Sequence, residues 1–135
     1  MEKEIILLDT GILIDYFRKK DKENSILYQL SLEKYEFKVA TITQYEVLLG
    51  ANDSQVNFWK ELFGRVKILS FDEQAAITAS NIYKQLKVEN KLIDIADILI
   101  AAIAMTNQIA LATLNSKHFN RISKLELLRL PQANA

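Results

Sequence analysis

Apolar positions along this chain follow two alternating rhythms. Ile5 to Leu8 is a short unbroken apolar run of the kind a buried strand leaves, and Asp9-Thr10-Gly11 punctuates it. Ile12, Leu13, Tyr16 and Phe17 then recur at helical spacing, and Arg18-Lys19-Lys20 suits the helix's C-terminal end. A second helix carrying Ile26, Leu27 and Leu30 is expected behind a cap at Asn24 or Ser25. Phe37 to Thr41 predicts another strand, with Thr43 as the cap of a helix over Gln44 to Leu49 that Gly50 closes. Val56, Trp59, Leu62 and Phe63 share one face of a fourth helix, and Val66 to Leu69 predicts a third strand. Ser70-Phe71-Asp72-Glu73 has the capping-box pattern ahead of Ala75, Ala76, Ala79, Ile82, Tyr83 and Leu86. Ile109 to Thr113 predicts a fourth strand and Leu125 to Leu130 a fifth, stopped by Pro131.

One stretch breaks the amphipathic rule. From Ile98 to Ala104 the sequence is apolar on every side of a helix, so that helix, ending near Thr106-Asn107, is expected to be buried all round. Strands alternating with helices imply an α/β domain of three layers, α/β/α, with a mostly parallel central sheet of about four to five strands. The pattern reads as a single domain over 1–131 with a frayed tail at 132–135.

Composition narrows the chemistry. Half of the 135 residues are apolar, enough for a sizeable core. There is no cysteine, which excludes a disulfide frame or a thiolate metal site, and the single His118 argues against a multi-histidine zinc site. The formal net charge is zero, so this is not a highly basic nucleic-acid coat. Met1-Glu2-Lys3-Glu4 leads into only a short apolar run, and the Ile98 helix is too short to span a bilayer. A soluble cytoplasmic protein with no membrane partner is expected. Neither GxGxxG nor GxxxxGK[ST] occurs, which excludes a glycine-rich phosphate loop.

The carboxylates are the candidate chemistry. In open parallel sheets ligands bind beyond the carboxyl ends of the strands. Asp9 follows the first strand, Thr113 and Asn115 leave the fourth, Glu46 lies on the helix after the second, and Asp97 lies near the start of the buried helix. Three carboxylates in one cleft repel unless one takes a proton or a cation joins them. Magnesium or manganese would suit such oxygen ligands and could activate water at a phosphate. Each acid also has a plainer reading: Asp9 as a helix cap, Glu46 as a solvated helical acid, Asp97 as a cap or ion-pair member, Asp94 and Asp72 as cap-region acids. Tyr16, Phe17, Trp59 and Phe63 are core or a partner-binding groove.

Four blocks carry a resemblance. Leu7-Leu8-Asp9-Thr10-Gly11-Ile12-Leu13-Ile14-Asp15, Thr41-Ile42-Thr43-Gln44-Tyr45-Glu46-Val47-Leu48-Leu49-Gly50, Asp97-Ile98-Leu99-Ile100-Ala101-Ala102 and Leu111-Ala112-Thr113-Leu114-Asn115-Ser116-Lys117-His118-Phe119 occur in this order. The chain resembles the PIN-domain ribonucleases, and among them the VapC-type toxins of toxin–antitoxin pairs. The resemblance implies Asp9, Glu46 and Asp97 as the catalytic, metal-binding acids, with Thr10, Thr113, Asn115 and His118 in support. It implies Mg2+ or Mn2+, a water attacking an RNA phosphodiester, a small VapB-like antitoxin across a groove of the early helices, and a homodimer.

The last block departs from the family pattern. Relatives usually carry a fourth acid at the place of Asn115 or His118, and here neither is acidic. That removes about one charge and leaves open one metal or two, with one well-bound ion and a second recruited by substrate. His118 is either a neutral ligand or proton carrier, or it faces solvent beside Lys117 and Arg121. The departure motivates an alternative, a catalytically weak or inactive PIN scaffold that binds RNA or an antitoxin without cleavage. Lys117 and Arg121, with Lys124, Arg129 and the run Arg18-Lys19-Lys20, are candidate RNA phosphate contacts or an ordinary solvated surface.

Overall fold

In a computed structural model of the chain, residues 2–131 are described. The expected frayed tail at 132–135 lies outside them. Four strands form one parallel sheet: β1 (Glu4–Leu8), β2 (Tyr35–Ala40), β3 (Lys67–Leu69) and β4 (Ala110–Ala112), in the order β3-β2-β1-β4. The chain steps outward from β1 to β2 to β3 and then returns to β4 on the other side of β1. The order therefore reverses between β1 and β4, and such a switch point opens a crevice at the carboxyl edge of the sheet.

Helices cover both faces. Strand alternation sends Leu7 to one apolar cluster and Ile6 and Leu8 to the other. The first cluster belongs to α5 (Glu73–Val88) and α6 (Ile95–Thr106), which pack against each other. The second gathers Ile12 and Leu13 of α1 (Thr10–Arg18), Ile26 and Leu30 of α2 (Ile26–Ser31) and Trp59 and Phe63 of α4 (Asp53–Gly64). This is the three-layer arrangement the pattern predicted. In α6, Ile98 and Ile100 through Ala104 are all buried, and the alanines at 101, 102 and 104 let neighbouring backbones approach closely. Among the described residues no helix is long and apolar enough to cross a membrane.

Some local expectations change. The predicted fifth strand over Leu125 to Leu130 reduces to an isolated parallel bridge between Leu111 and Leu127. Its partner β4 has only three residues, so the bridge is held by two bonds, from Leu111 N to Glu126 O and from Leu128 N to Leu111 O, each 2.9 Å. Ser25, not Asn24, caps α2, its Oγ accepting from Tyr28 N at 3.1 Å. Thr43 caps nothing. β2 runs straight into α3 (Thr41–Gly50) with Ala40 at the cap position, which leaves Thr43 fully buried inside the helix. Ser70 likewise gives way to Asp72, whose Oδ1 accepts from Ala75 N at 2.9 Å. A reciprocal capping box stands instead at Asn52 and Gln55 of α4, where the sequence reading placed none.

Candidate active site

Asp9 stands at the switch point. Its backbone N–H donates to Ala112 O at 2.9 Å, so the end of β1 is stitched to the end of β4. As the cap of α1 it is 6% exposed, and both carboxylate oxygens are engaged. Oδ1 accepts from Thr10 N at 2.8 Å and Oδ2 from the buried Thr113 hydroxyl at 2.6 Å. The cap reading of Asp9 therefore holds, and the same carboxylate faces Thr113 across the sheet edge. Burial pushes its carboxyl above the ordinary range; the bonds from Thr113 and Thr10 oppose this, and the charge of Glu46 adds to it.

Glu46 comes in from α3, where its Oε1 accepts from the Thr10 hydroxyl at 2.7 Å. The hydroxyls of Thr10 and Thr43 are 3.0 Å apart. Thr10 has one proton to give, and the shorter contact to a carboxylate takes it. The oxygen of Thr10 is then left to accept from Thr43. Thr43 is thus a supporting group that sequence reasoning assigned wrongly. Its block carried the signal, a hydroxyl one helical turn before Glu46.

Asp97 lies in the first turn of α6. Its carboxyl is pushed from an ordinary 3.8 up to about 6, by burial first and then by the charges of Asp9, Asp94 and Glu46. Three acids far apart in the sequence therefore act on one another electrostatically. Asp94 sits at the cap position of α6 but makes no side-chain cap bond. The ion pairs among the described residues, Lys19 with Asp15 and Arg65 with Glu61, involve none of the three.

The last block braces Asp9. Asn115 N donates to Thr113 Oγ1 at 3.0 Å, and the Asn115 side-chain nitrogen is 2.8 Å from His118 Nδ1. An amide donor at Nδ1 leaves the ring proton on Nε2. His118 is thereby tied to Asn115 rather than free in solvent. Lys117 is exposed on the short helix α7 (Ser116–Phe119). Arg121 does not stand free: its Nη1 donates to Leu92 O at 3.1 Å and to Lys91 O at 3.4 Å.

The donor set is chemically suited to a hard divalent ion, with three mutually repelling carboxylates and, among the described residues, no ion pair to any of them. The present rotamers are a different matter. Among the described residues no three His, Asp or Glu side chains are arranged to hold an ion as they stand. Glu46 is turned onto Thr10, and Asp9 spends an oxygen on Thr113.

The PIN domain family model matches residues 6–125. Ribonuclease VapC1 of Methanocaldococcus jannaschii is 38% identical over 130 residues, covering 93% of this chain and 87% of that protein. A tRNA(fMet)-specific endonuclease VapC of Shigella flexneri is 26% identical over 88% of this chain and 92% of its own length. Among solved structures, VapBC-1 of nontypeable Haemophilus influenzae superposes with a TM-score of 0.79 at 27% identity, covering 92% of this chain and 96% of that one. DNA-bound VapBC of Salmonella typhimurium matches in fold, with a TM-score of 0.82 at 24% identity over 95% and 98% of the two chains.

Proposed function

The chain belongs to the PIN domain family, on its VapC-type branch, and from that premise we propose that it is a metal-dependent endoribonuclease, the toxin of a VapBC-type toxin–antitoxin pair. The support for the chemistry is that Thr10 bridges Asp9 and Glu46, that the Asp97 carboxyl is raised by burial and by the charges of both, and that none of the three is in an ion pair among the described residues. These three would hold Mg2+ or Mn2+. A bound ion of this kind lowers the pKa of water and stabilises charge on a phosphate. The protein's own part is orientation. Thr113 and Thr10 fix Asp9, Thr10 fixes Glu46, and Asn115 fixes both Thr113 and the His118 ring. His118, its ring oriented by Asn115, would serve as a proton carrier.

The test is cleavage of RNA by the purified protein with Mn2+ and with EDTA. Fragments are expected with the metal and none with the chelator. Fragments in both would remove the metal. Fragments in neither, with RNA or antitoxin still retained on the protein, would leave the non-cleaving scaffold.

Two surfaces support the partners of this reading. A cavity of about 430 Å3 between α1, α2 and α4 is lined by Tyr16, Leu27, Phe37, Phe58 and Leu62. It suits the apolar face of an amphipathic segment from a small VapB-like antitoxin. On the other side of the site, Tyr45, Leu49 and Ile95 are 63%, 71% and 65% exposed, an apolar face suited to a second copy of the chain. Leu49→Lys is expected to convert a dimer to monomer in sedimentation. An unchanged dimer would move the interface elsewhere.

A further inference from the structure

The path from α5 into α6 leads directly to Asp97. α5 closes with Asn90 in the left-handed region, φ 55, and Lys91 N donating to Leu86 O at 2.8 Å. From there to Asp94 the chain has no regular structure, and Asp94 offers no side-chain cap bond. The entry angle of α6 is therefore not fixed by capping. Ile93 packs against the apolar cluster beneath, but that contact has no direction. Among the described residues, the directional tie onto this stretch from elsewhere in the chain is Arg121.

Arg121 belongs to the turn that follows the last block, and its N–H donates to His118 O at 3.1 Å. Its side chain borders a cavity of about 210 Å3 with Ile82, Leu86, Met105 and Ile122. The Nη1 carries two hydrogens, one for each of the carbonyls of Lys91 and Leu92. One side chain thus links the segment that braces Asp9 to the loop that launches Asp97.

We propose that Arg121 is a positioning residue: pinned on the Lys91 and Leu92 carbonyls, it sets the start of α6 and so holds Asp97 opposite Asp9. The assignment rests on the ribonuclease reading above. It departs from the expectation that Arg121 is an RNA phosphate contact, and the two roles leave different marks. A phosphate contact contributes to RNA affinity and to its salt dependence. A brace on a reacting geometry contributes to turnover, where a displacement on the order of 1 Å costs about 10²-fold.

Arg121→Ala and Arg121→Lys separate them. For Arg121→Ala we expect kcat to fall about 10–100-fold, with KM and the salt slope of RNA binding unchanged. In the metal-free protein, the amides of Ile98 and Leu99 should exchange faster while those of β1 and α5 do not. Arg121→Lys keeps the charge on a side chain one atom shorter and without the planar fork, so kcat should recover only in part. The assignment is overturned if Arg121→Ala raises KM and flattens the log–log salt slope by about one, with Arg121→Lys restoring both. It is equally overturned if both variants speed exchange uniformly along the chain, which would make Arg121 a general stability residue. If the parent cuts no RNA, the ribonuclease reading fails, and the exchange measurement still decides where Arg121 acts.

Discussion

Asp97→Asn is expected to reduce RNA cleavage by a factor on the order of 10³ while making the metal-free protein more stable at neutral pH. The two effects have one cause. Burial and the charges of Asp9, Asp94 and Glu46 raise the Asp97 carboxyl from 3.8 to about 6. A carboxyl whose folded value lies above its unfolded one binds more protons in the folded state, so stability falls as pH rises between the two values. Below 3.8 the group contributes no penalty, between 3.8 and about 6 the penalty grows, and above that it is complete. Asp97 is partly open to solvent, so screening reduces the cost to about 1 kcal/mol. An asparagine escapes it. Urea melts in EDTA should therefore show the variant more stable than the parent at pH 8 and indistinguishable at pH 4. A divalent ion should reverse the order at pH 8, because it relieves the repulsion only where the carboxylate remains. Full cleavage by Asp97→Asn, or melts that differ equally at both pH values, would remove Asp97 from the acid cluster.

That cluster was partly visible in the sequence because its main signals are local. Asp9 directly follows an apolar run, and a residue ending a central parallel strand has to sit at the carboxyl edge of the sheet. Asp97 stands in the first turn of a helix that is apolar on all sides further on, so its partial burial could be foreseen. What the sequence does not display are contacts made by partners far along the chain. Thr43 has the look of a cap, and only the direct passage of β2 into α3 turns it toward Thr10, 33 positions away. Arg121 looks like one more surface cation until the Lys91 and Leu92 carbonyls, about 30 positions earlier, are placed beside it. The expected strand over Leu125 to Leu130 failed for a similar reason. Apolar alternation predicts an extended segment, but the length of its partner sets how much ladder can form, and β4 offers three residues.

Trp59→Ala is expected to destabilise the fold by about 3–5 kcal/mol and to abolish antitoxin capture while sparing cleavage. Trp59 is 2% exposed. Its ring lies 5.1 Å from Phe17 and from Phe58 and 6.0 Å from Phe63, so one indole joins α1 to two further turns of α4. Truncation leaves a void that these rings fill only in part. Domains of this kind are stable by about 5–15 kcal/mol, so the loss is a large share, with a fall in Tm of about 10 °C or more. The consequence for partners follows from what lies above the indole. Phe58 packs on Trp59, Tyr16 stacks on Phe58 at 6.3 Å, and both line the groove assigned to the antitoxin. Removing the floor lets the groove collapse inward. Asp9 shares the apolar cluster of Trp59 through α1, but its carboxylate is held by hydrogen bonds from Thr10 and Thr113 and its N–H by Ala112 O, none of which involves the indole. Below its own melting temperature the variant should therefore cut RNA at near the parent's rate but no longer be inhibited by a VapB-like antitoxin. Loss of cleavage and capture together, in protein still folded by circular dichroism, would mean that groove and acid site open as one unit.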